Sequence, residues 1–410
     1  MIKLRDYQKV NVKVALDVLK VNQFVYLAME VRTGKTLTSL SIADKIGKNV
    51  LFVTKKKAIS SIQKDYELLN PSFDLLVINY ESLHKLPNES WDVVILDEAH
   101  SMGAFPKPSK RAKQVKELIR KQNCKVILLS GTPSPESYSQ MYHQVYGIPG
   151  NPFSEYKNFY RFCDDHVNVT SRKINGFDLK DYSGGKKQIL DLMKPYTVSY
   201  TQAEAGFESK IEEEILTVRM KPITYTLCSR LKKDQVIEGA DEVILADTGV
   251  KLMTKLHQMY SGTVKFESGN SKIIDTTKAE FIKDRFVGKR IGVFYKFKEE
   301  LKALMEVFGD DLCTQLDHFD EGGYQVIALQ IVSGREGISL RNADYVVFYN
   351  IDFSATSYWQ ARDRMTTKDR KFNKVYWIFA EKGIEHDIYK AVSQKKNYTL
   401  SHFKRDLLSL

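Results

Sequence analysis

The stretch AMEVRTGKTLTSL, residues 28–40, joins two runs of different character. The run that enters it, QFVYLAM (23–29), has the length and apolar composition of a buried strand. The run that leaves it, KTLTSLSIADKI (35–46), has the apolar spacing of a helix. This strand–turn–helix order predicts the first unit of an α/β fold, in which helices flank a mostly parallel sheet.

The tripeptide Gly34-Lys35-Thr36 at the start of this helix matches the end of the pattern G-x-x-x-x-G-K-[ST], although Met29 stands where the pattern has its first glycine. Backbone N–H groups at a helix start point at bound phosphate oxygens, and the helix dipole strengthens that attraction. We therefore predict a phosphate-binding loop, in which Lys35 neutralises phosphate charge and the Thr36 hydroxyl holds Mg²⁺.

An acidic motif follows a later apolar strand, in VVILDEAH (93–100). A carboxylate at the end of a buried strand lies in the crevice where α/β sheets bind ligands, so we predict Asp97 as a second Mg²⁺ ligand. Its neighbour Glu98 is then placed to orient and polarise an attacking water.

The next strand repeats this arrangement, because KVILLSGTPSP (125–135) ends in the polar turn Ser130-Gly131-Thr132-Pro133. Such a turn alone is typical of any loop. After the acidic motif, we interpret Ser130 and Thr132 as a sensor that hydrogen-bonds that motif, including His100, and reports the loss of a terminal phosphate.

Strand-sized apolar runs form two series with a different region between them. The runs are 23–29, 49–54, 74–79, 92–97 and 125–130 in the first series and 289–295, 324–330, 344–350 and 374–380 in the second. The region between, roughly 134–285, is rich in Tyr, Lys and Gly and has few clear strands. We therefore predict two α/β domains joined by helical insertions.

The composition is that of a globular chain with an anionic partner. The 410 residues are 43% hydrophobic, with a formal net charge of +11 and a pI near 9.1. This charge favours nucleic acid first and an acidic membrane surface second. The apolar runs are too short for a membrane span and the N-terminus lacks the apolar core of a signal peptide, so we expect a cytoplasmic protein. Four separated cysteines predict neither a zinc site nor a disulfide framework.

The order of the three motifs resembles that of superfamily-two helicases and translocases. Further segments are similar to motifs of the Swi/Snf-like branch, a DEAH-box group, and especially to its compact phage-encoded members. These segments are LRDYQ (4–8), VINYESL (77–83), LMKPYTVSYT (192–201), IEEEILTVRM (211–220), RIGVFYKFKEELKAL (290–304), QIVSGREGISLRNADYVVFYN (330–350) and YWQARDR (358–364). If a virus encodes the chain, the cytoplasm is that of its host.

The resemblance implies a particular architecture. Two tandem RecA-like domains bind ATP and Mg²⁺ between them and move on DNA. The first spans 1–205 with a helical extension over about 134–200. The second spans 206–410 with a helical region over about 222–285.

The resemblance also assigns residues. The catalytic residues it implies are Lys35, Asp97, Glu98, Gln360 and the arginine finger Arg364. Nucleotide binding falls to Leu4, Arg5, Tyr7, Gln8, Glu30, Thr33, Gly34, Lys35, Thr36, Gly337 and Arg364, with Gln8 recognising adenine. Coupling falls to His100, Ser130, Thr132 and Asp363. The candidates for DNA contact are Thr54, Asn79, Tyr80 and Ser333.

The final motif departs from the family pattern. A second arginine usually follows three residues after the first, whereas Arg364 is followed by Met365-Thr366-Thr367. Arg370, or less favourably Lys368, is a candidate for that role, and the alternative is a motor with a single finger.

Three functions remain open on this basis. The leading one is an ATP-driven translocase on double-stranded or branched DNA. The second is a helicase that separates strands at forks and junctions. The third is an ATP-gated DNA-binding protein without turnover. The oligomeric state stays open, with a monomer among the alternatives.

Overall fold

The computed structural model describes residues 2–174, 177–206, 210–331, 340, 342–362 and 372–394. The chain divides into two compact units, Met1–Phe207 and Glu208–Leu410. Within the described residues, no helix is long and apolar enough to cross a lipid bilayer.

The first unit alternates strands and helices. In chain order it contains α1 (Asp6–Val21), β1 (Phe24–Met29), α2 (Lys35–Ile46), β2 (Asn49–Thr54), α3 (Ile59–Leu69), β3 (Asp74–Asn79), β4 (Val93–Leu96), α4 (Lys110–Lys121), β5 (Lys125–Leu129), α5 (Gln140–Gln144), α6 (Phe159–His166), β6 (Thr170–Ile174), β7 (Phe177–Asp181), α7 (Gln188–Met193) and β8 (Thr197–Tyr200). Six strands form one sheet in the order β3-β2-β4-β5-β1-β8, and every pair in it is parallel.

The second unit repeats the same architecture. It contains β9 (Lys210–Val218), α8 (Pro222–Asp234), β10 (Val236–Glu238), β11 (Val243–Leu245), α9 (Gly249–Tyr260), β12 (Thr263–Lys265), β13 (Ser271–Ile273), α10 (Thr277–Arg285), β14 (Ile291–Tyr295), α11 (Lys298–Phe308), β15 (Leu312–Cys313), α12 (Leu316–Asp320), β16 (Val326–Gln330), β17 (Tyr345–Phe348), α13 (Ala355–Arg362), β18 (Phe372–Ala380) and α14 (Glu385–Ser393). Its sheet has the order β15-β16-β14-β17-β18-β9, again with parallel pairs only.

Both sheets are buried on their two faces, which is why their strands read as continuous apolar runs. In β1, Phe24 and Tyr26 enter one core cluster, while Val25, Leu27 and Met29 enter the cluster on the opposite face. The nine apolar runs all form strands of these sheets. The predicted fold class, two tandem RecA-like domains with parallel sheets flanked by helices, is confirmed.

The region between the two series is less helical than its sequence indicated. The predicted extension over 134–200 also contains the antiparallel hairpin β6–β7 and the sheet strand β8. The predicted region over 222–285 contains two small antiparallel sheets, β10–β11 and β12–β13, beside its helices. These strands are short or polar, so they lack the apolar run that marks a doubly buried strand.

A buried histidine in the second unit gives this fold a dependence on pH. His257 in α9 is fully buried, with Nε2 2.5 Å from Asn350 Oδ1. Burial, together with the positive charges of Lys296 and Lys278, lowers the pKa of His257 well below its usual value. The imidazole is therefore neutral, and its Nε2–H donates to Asn350, whose own Nδ2 donates to Glu300 Oε1.

We expect this histidine to reduce stability in acid. Below pH ~6.5 the unfolded chain binds a proton at His257 that the folded chain does not, so the unfolding free energy falls by up to about 1.4 kcal/mol per pH unit. His257→Gln keeps a donor for Asn350 and removes the titration. Urea unfolding between pH 5 and 8 should show a shallower slope for this variant than for the wild type. Equal slopes would contradict the assignment.

Candidate active site

Met29 belongs to a strand and not to the loop that follows it. It is the last residue of β1 and its side chain is fully buried in the core, so the loop proper runs from Glu30 to Gly34. Burying such a side chain contributes about 1.5–3 kcal/mol. The pattern's missing first glycine is therefore explained by a core position.

The loop turns tightly before α2. Arg32 has a φ of 63° and Gly34 a φ of 80°, both in the left-handed region. The Thr33 side chain is buried, and its hydroxyl donates to the Glu30 carbonyl at 2.7 Å. A Cβ atom at Gly34 would lie 2.3 Å from Gln8 Nε2, and the positive φ of this residue favours glycine over any residue with a side chain.

Lys35 lies across the inside of this loop. Its Nζ donates to the carbonyls of Met29 at 2.9 Å and Glu30 at 3.1 Å. Burial lowers the pKa of Lys35, and the carboxylates of Glu98, Asp97 and Glu30 oppose that shift. A Cβ atom added at Gly131 would lie 3.3 Å from the same Nζ, so the Ser-Gly-Thr-Pro turn packs directly against the lysine.

The acidic motif is held by residues at the ends of two neighbouring strands. Thr54 Oγ1 donates to Asp97 Oδ2 at 2.8 Å, and Tyr80 Oη donates to the Asp97 carbonyl at 2.6 Å. The Glu98 amide donates to Asp97 Oδ1 at 3.0 Å, with Glu98 itself at a φ of 49°. Two of these bonds hold the Asp97 carboxylate, and the Tyr80 bond holds its backbone carbonyl.

Electrostatics around Asp97 favour a cation. Burial, followed by the negative charge of Glu98, raises the pKa of Asp97 to about 6. A divalent ion at this carboxylate would reverse that shift, because a nearby positive charge stabilises the ionised form. The donor set therefore fits Mg²⁺, with Thr36 in the first turn of α2 as the second predicted ligand.

The turn after β5 contacts the acidic motif. His100 Nδ1 lies 3.0 Å from Ser130 Oγ and 3.2 Å from Glu98 Oε2. Ser130 Oγ also accepts from the Thr132 amide at 3.1 Å. The Thr132 hydroxyl is buried, and in the described part of the chain it has no hydrogen-bond partner. The structure thus brings together His100, Ser130 and Thr132, the three residues of the predicted sensor that it describes.

The opening motif packs against the outside of the loop. Gln8 is buried, its Nε2 donates to the Gly34 carbonyl at 3.3 Å, and its Oε1 accepts from the Arg5 amide at 2.9 Å. Tyr7 Oη donates to the Thr33 carbonyl at 3.2 Å, and Leu4 packs beside the core. In this structure the Gln8 amide therefore holds the loop, and its recognition of adenine stays a prediction.

Three residues of this site had no place in the sequence interpretation. Tyr200 at the end of β8 stacks on Tyr7 with ring centroids 4.7 Å apart, and Gln202 bonds the loop at Glu30 and Val31. Gln144 in α5 joins the Pro133 carbonyl to Tyr26 Oη at 2.7 and 2.6 Å. The sequence contained one signal for Tyr200 and Gln202. In TVSYTQ (197–202), polar residues directly follow a segment of strand length, as they do in the motifs after β4 and β5.

The structure describes three of the four predicted DNA-contact residues, whose contact with DNA stays a prediction. Thr54 and Tyr80 are fully buried, and both hydroxyls are committed to Asp97. Asn79 is half-buried, with its Oδ1 unpaired within the described residues.

The remaining predicted site residues belong to the second unit. Ser333, Gly337, Asp363, Arg364, Lys368 and Arg370 lie outside the described residues. Gln360 belongs to α13, and its side chain is also outside the described part.

Comparison with known proteins identifies two matching regions. Residues 41–258, more than half of the chain, match the SNF2-related domain, and residues 277–366 match the helicase conserved C-terminal domain.

Two curated relatives are similar at low identity. The ISWI chromatin-remodeling complex ATPase ISW1 of Saccharomyces cerevisiae is 20% identical over 469 residues, which cover 96% of this chain and 40% of that protein. The DNA excision repair protein ERCC-6-like of Danio rerio is 26% identical over 180 residues, which cover 39% of this chain and 12% of that protein. The chain spans less than half the length of either relative.

Two solved structures were also matched. One is the Sulfolobus solfataricus SWI2/SNF2 ATPase core in complex with dsDNA, with a TM-score of 0.43 and 15% identity over 100% of this chain and 93% of that one. The other is the same organism's SWI2/SNF2 ATPase core domain, with a TM-score of 0.42 and 15% identity over 96% of this chain and 89% of that one.

The first matched region begins in the first unit and extends into the second, and the other lies within the second unit. By the match over residues 41–258, this chain belongs to the SNF2-related family.

Proposed function

We propose that this chain is an ATP-dependent motor that translocates on double-stranded or branched DNA. The observation that supports it is the convergence of Lys35, Asp97 and Ser130 at one end of the first sheet. Family membership supports the same reading. We further propose that residues 97–100 act as a DEAH box, and that the chain is of the compact phage-encoded type and works in the host cytoplasm.

The residues of the first unit have distinct tasks in this proposal. Bound ATP with Mg²⁺ supplies the phosphoanhydride bond to be broken. Lys35 would exchange its two carbonyl partners for phosphate oxygens, and Asp97 and Thr36 would hold the metal, which would neutralise phosphate charge. Glu98 accepts a proton from the attacking water at its carboxylate. Thr54, Tyr80 and the Glu98 amide already hold Asp97 in place, so little energy is spent on ordering Asp97 when the reaction occurs.

The sensor turn links hydrolysis to movement. His100 lies within hydrogen-bonding distance of both Glu98 and Ser130, so a change at the base reaches the turn through one imidazole. Asp363 keeps its predicted place in this coupling. Gly337 keeps its predicted place in nucleotide binding and Arg364 its place as the finger, with Arg370 as the candidate second finger. The net charge of +11 suits a protein that follows the DNA backbone, because phosphate contacts do not depend on sequence.

Glu98→Gln should abolish most of the hydrolysis that DNA stimulates. Gln cannot accept the proton, and loss of a general base lowers kcat by about 10²- to 10⁴-fold. Phosphate release should be measured at equal nucleotide concentrations of duplex, single-stranded, forked and RNA ligands. Duplex or forked DNA should stimulate the wild type most. The exposed Glu67→Gln in α3 is the matched control and should behave as the wild type.

Several outcomes would contradict this proposal. Equal stimulation by RNA would contradict the DNA assignment, and unchanged turnover in Glu98→Gln would contradict the catalytic one. Absence of turnover in the wild type would favour the ATP-gated binder. Displacement of a strand from a fork, lost in Lys35→Ala, would favour the helicase over the translocase.

Ser130→Ala should impair movement on DNA more than ATP hydrolysis. The change removes the oxygen that the His100 ring and the Thr132 amide share, and each lost hydrogen bond is worth about 0.5–1.5 kcal/mol. Displacement of a third strand from a triplex reports movement, and phosphate release reports hydrolysis. Ser134→Ala in the same loop is the control. A proportionate loss of both activities would contradict a coupling role.

A further inference from the structure

The chain leaves the first unit through a segment that is bonded to the phosphate loop. The Glu30 amide donates to the Tyr200 carbonyl at 2.9 Å, which continues the β1–β8 pairing into the loop. The Gln202 amide then donates to Glu30 Oε2 at 2.7 Å, and Gln202 Nε2 donates to the Val31 carbonyl at 2.9 Å. Three hydrogen bonds thus join residues 200–202 to residues 30–31.

The residues around and after Gln202 form a hydrogen-bonded turn and not an extended linker. Glu204 Oε2 accepts from the Thr201 amide at 2.7 Å and from the Thr201 hydroxyl at 2.8 Å. The Ala205 amide donates to the Thr201 carbonyl at 3.1 Å, and the Gly206 amide donates to the Ala203 carbonyl at 3.0 Å. We call residues 201–206 the connecting turn. A displacement of Gln202 therefore moves the whole turn.

Glu30 is bonded from two sides, which gives the loop a route to this turn. Its carbonyl accepts from Lys35 Nζ at 3.1 Å and from the Thr33 hydroxyl at 2.7 Å. Its carboxylate accepts from the Gln202 amide on the opposite side. A ligand that draws Lys35 away from the loop carbonyls breaks its bond to the Glu30 carbonyl. Because the Glu30 carboxylate is bonded to Gln202, this change can reach the connecting turn.

We propose that Gln202 is a positioning residue that fastens the phosphate loop to the connecting turn and so transmits nucleotide binding to the chain that enters the second unit. This inference rests on the proposed function for its nucleotide, ATP or ADP. The fastening itself rests on the two hydrogen bonds of Gln202, beside the backbone bond that the Tyr200 carbonyl accepts. It is a route separate from the sensor turn, since none of its residues belongs to the acidic motif or to the Ser-Gly-Thr-Pro turn.

The chemistry at position 202 calls for an amide of this length. The Val31 carbonyl needs a donor, which Glu cannot supply when ionised, and Asn is one methylene shorter. Gln202→Ala removes this bond and keeps the backbone bond to Glu30, so the loop stays partly fastened. Loss of one such bond corresponds to a change of about two- to tenfold in a local equilibrium.

Amide hydrogen exchange without nucleotide tests the fastening directly. Gln202→Ala should exchange about two- to tenfold faster than the wild type at residues 31–34 and at residues 203–206, because both segments lose a shared partner. Gln202→Glu should exchange at least as fast as Gln202→Ala. The exposed Gln63→Ala in α3 is the matched control and should exchange as the wild type does. Unchanged exchange of both segments in Gln202→Ala would overturn the fastening.

The same measurement with ADP or a non-hydrolysable ATP analogue tests transmission. In the wild type the nucleotide should change exchange in both the loop and the connecting turn. In Gln202→Ala the analogue should bind up to about tenfold more weakly, and at saturation the loop should respond while the connecting turn does not. If bound nucleotide leaves the exchange rates of the connecting turn unchanged in the wild type, the proposed transmission is overturned. A wild type that binds no nucleotide would contradict the proposed function, and the nucleotide-free comparison would still decide the fastening.

Discussion

The placement of β5 between β4 and β1 is the constraint on which the active site depends. All three strands run in the same direction, so their carboxyl ends meet at one edge of the sheet. The loop of Lys35, the acid of Asp97 and the turn of Ser130 follow these strands directly. They lie far apart in the chain and become neighbours through parallel pairing alone. A change of strand order would separate them even if every residue were kept.

This neighbourhood concentrates buried charge. Asp97, Glu98 and Glu30 all act on the single amine of Lys35, and burial disfavours the charged form of both the amine and Asp97. Such a site is less stable in isolation than a neutral one of the same shape. A polyanion that brings a divalent cation supplies what each group lacks. Under the proposed function, Lys35 would contact phosphate and Asp97 would bind the metal.

The sequence predicted those parts of the fold that are buried on both faces. Nine apolar runs form strands, and the three motifs follow the neighbouring strands β1, β4 and β5. The strands that were missed lie at edges or in small hairpins. In β9, KIEEEILTV, polar residues are tolerated because the strand has a neighbour on one side only. Met29 is an example of the opposite error. The motif pattern places this residue in the loop, whereas the structure places it in β1 with its side chain in the core. Contacts such as Gln202 with Val31 join distant segments through one side chain, and no local pattern marks them.

The two edge strands that flank the division of the chain share a property. After β8, Gln202 fastens the loop that belongs to the neighbouring strand. On β9, the Glu213 carboxylate accepts hydrogen bonds from Tyr358, Trp377 and Tyr389, and it pairs with Arg362 Nε at 3.0 Å.

Arg362 ends α13 and belongs to the segment YWQARDR (358–364), which contains the predicted finger Arg364. In the first unit, β8 is followed by Gln202, which bonds the predicted phosphate loop. In the second unit, β9 carries Glu213, which bonds the helix of the predicted finger motif. Because an edge strand bonds to the sheet on one side only, it is the part of each sheet that can shift with least loss of pairing. Under the proposed function, attaching the nucleotide segments at these strands would let a change at a phosphate shift them with little loss of sheet pairing.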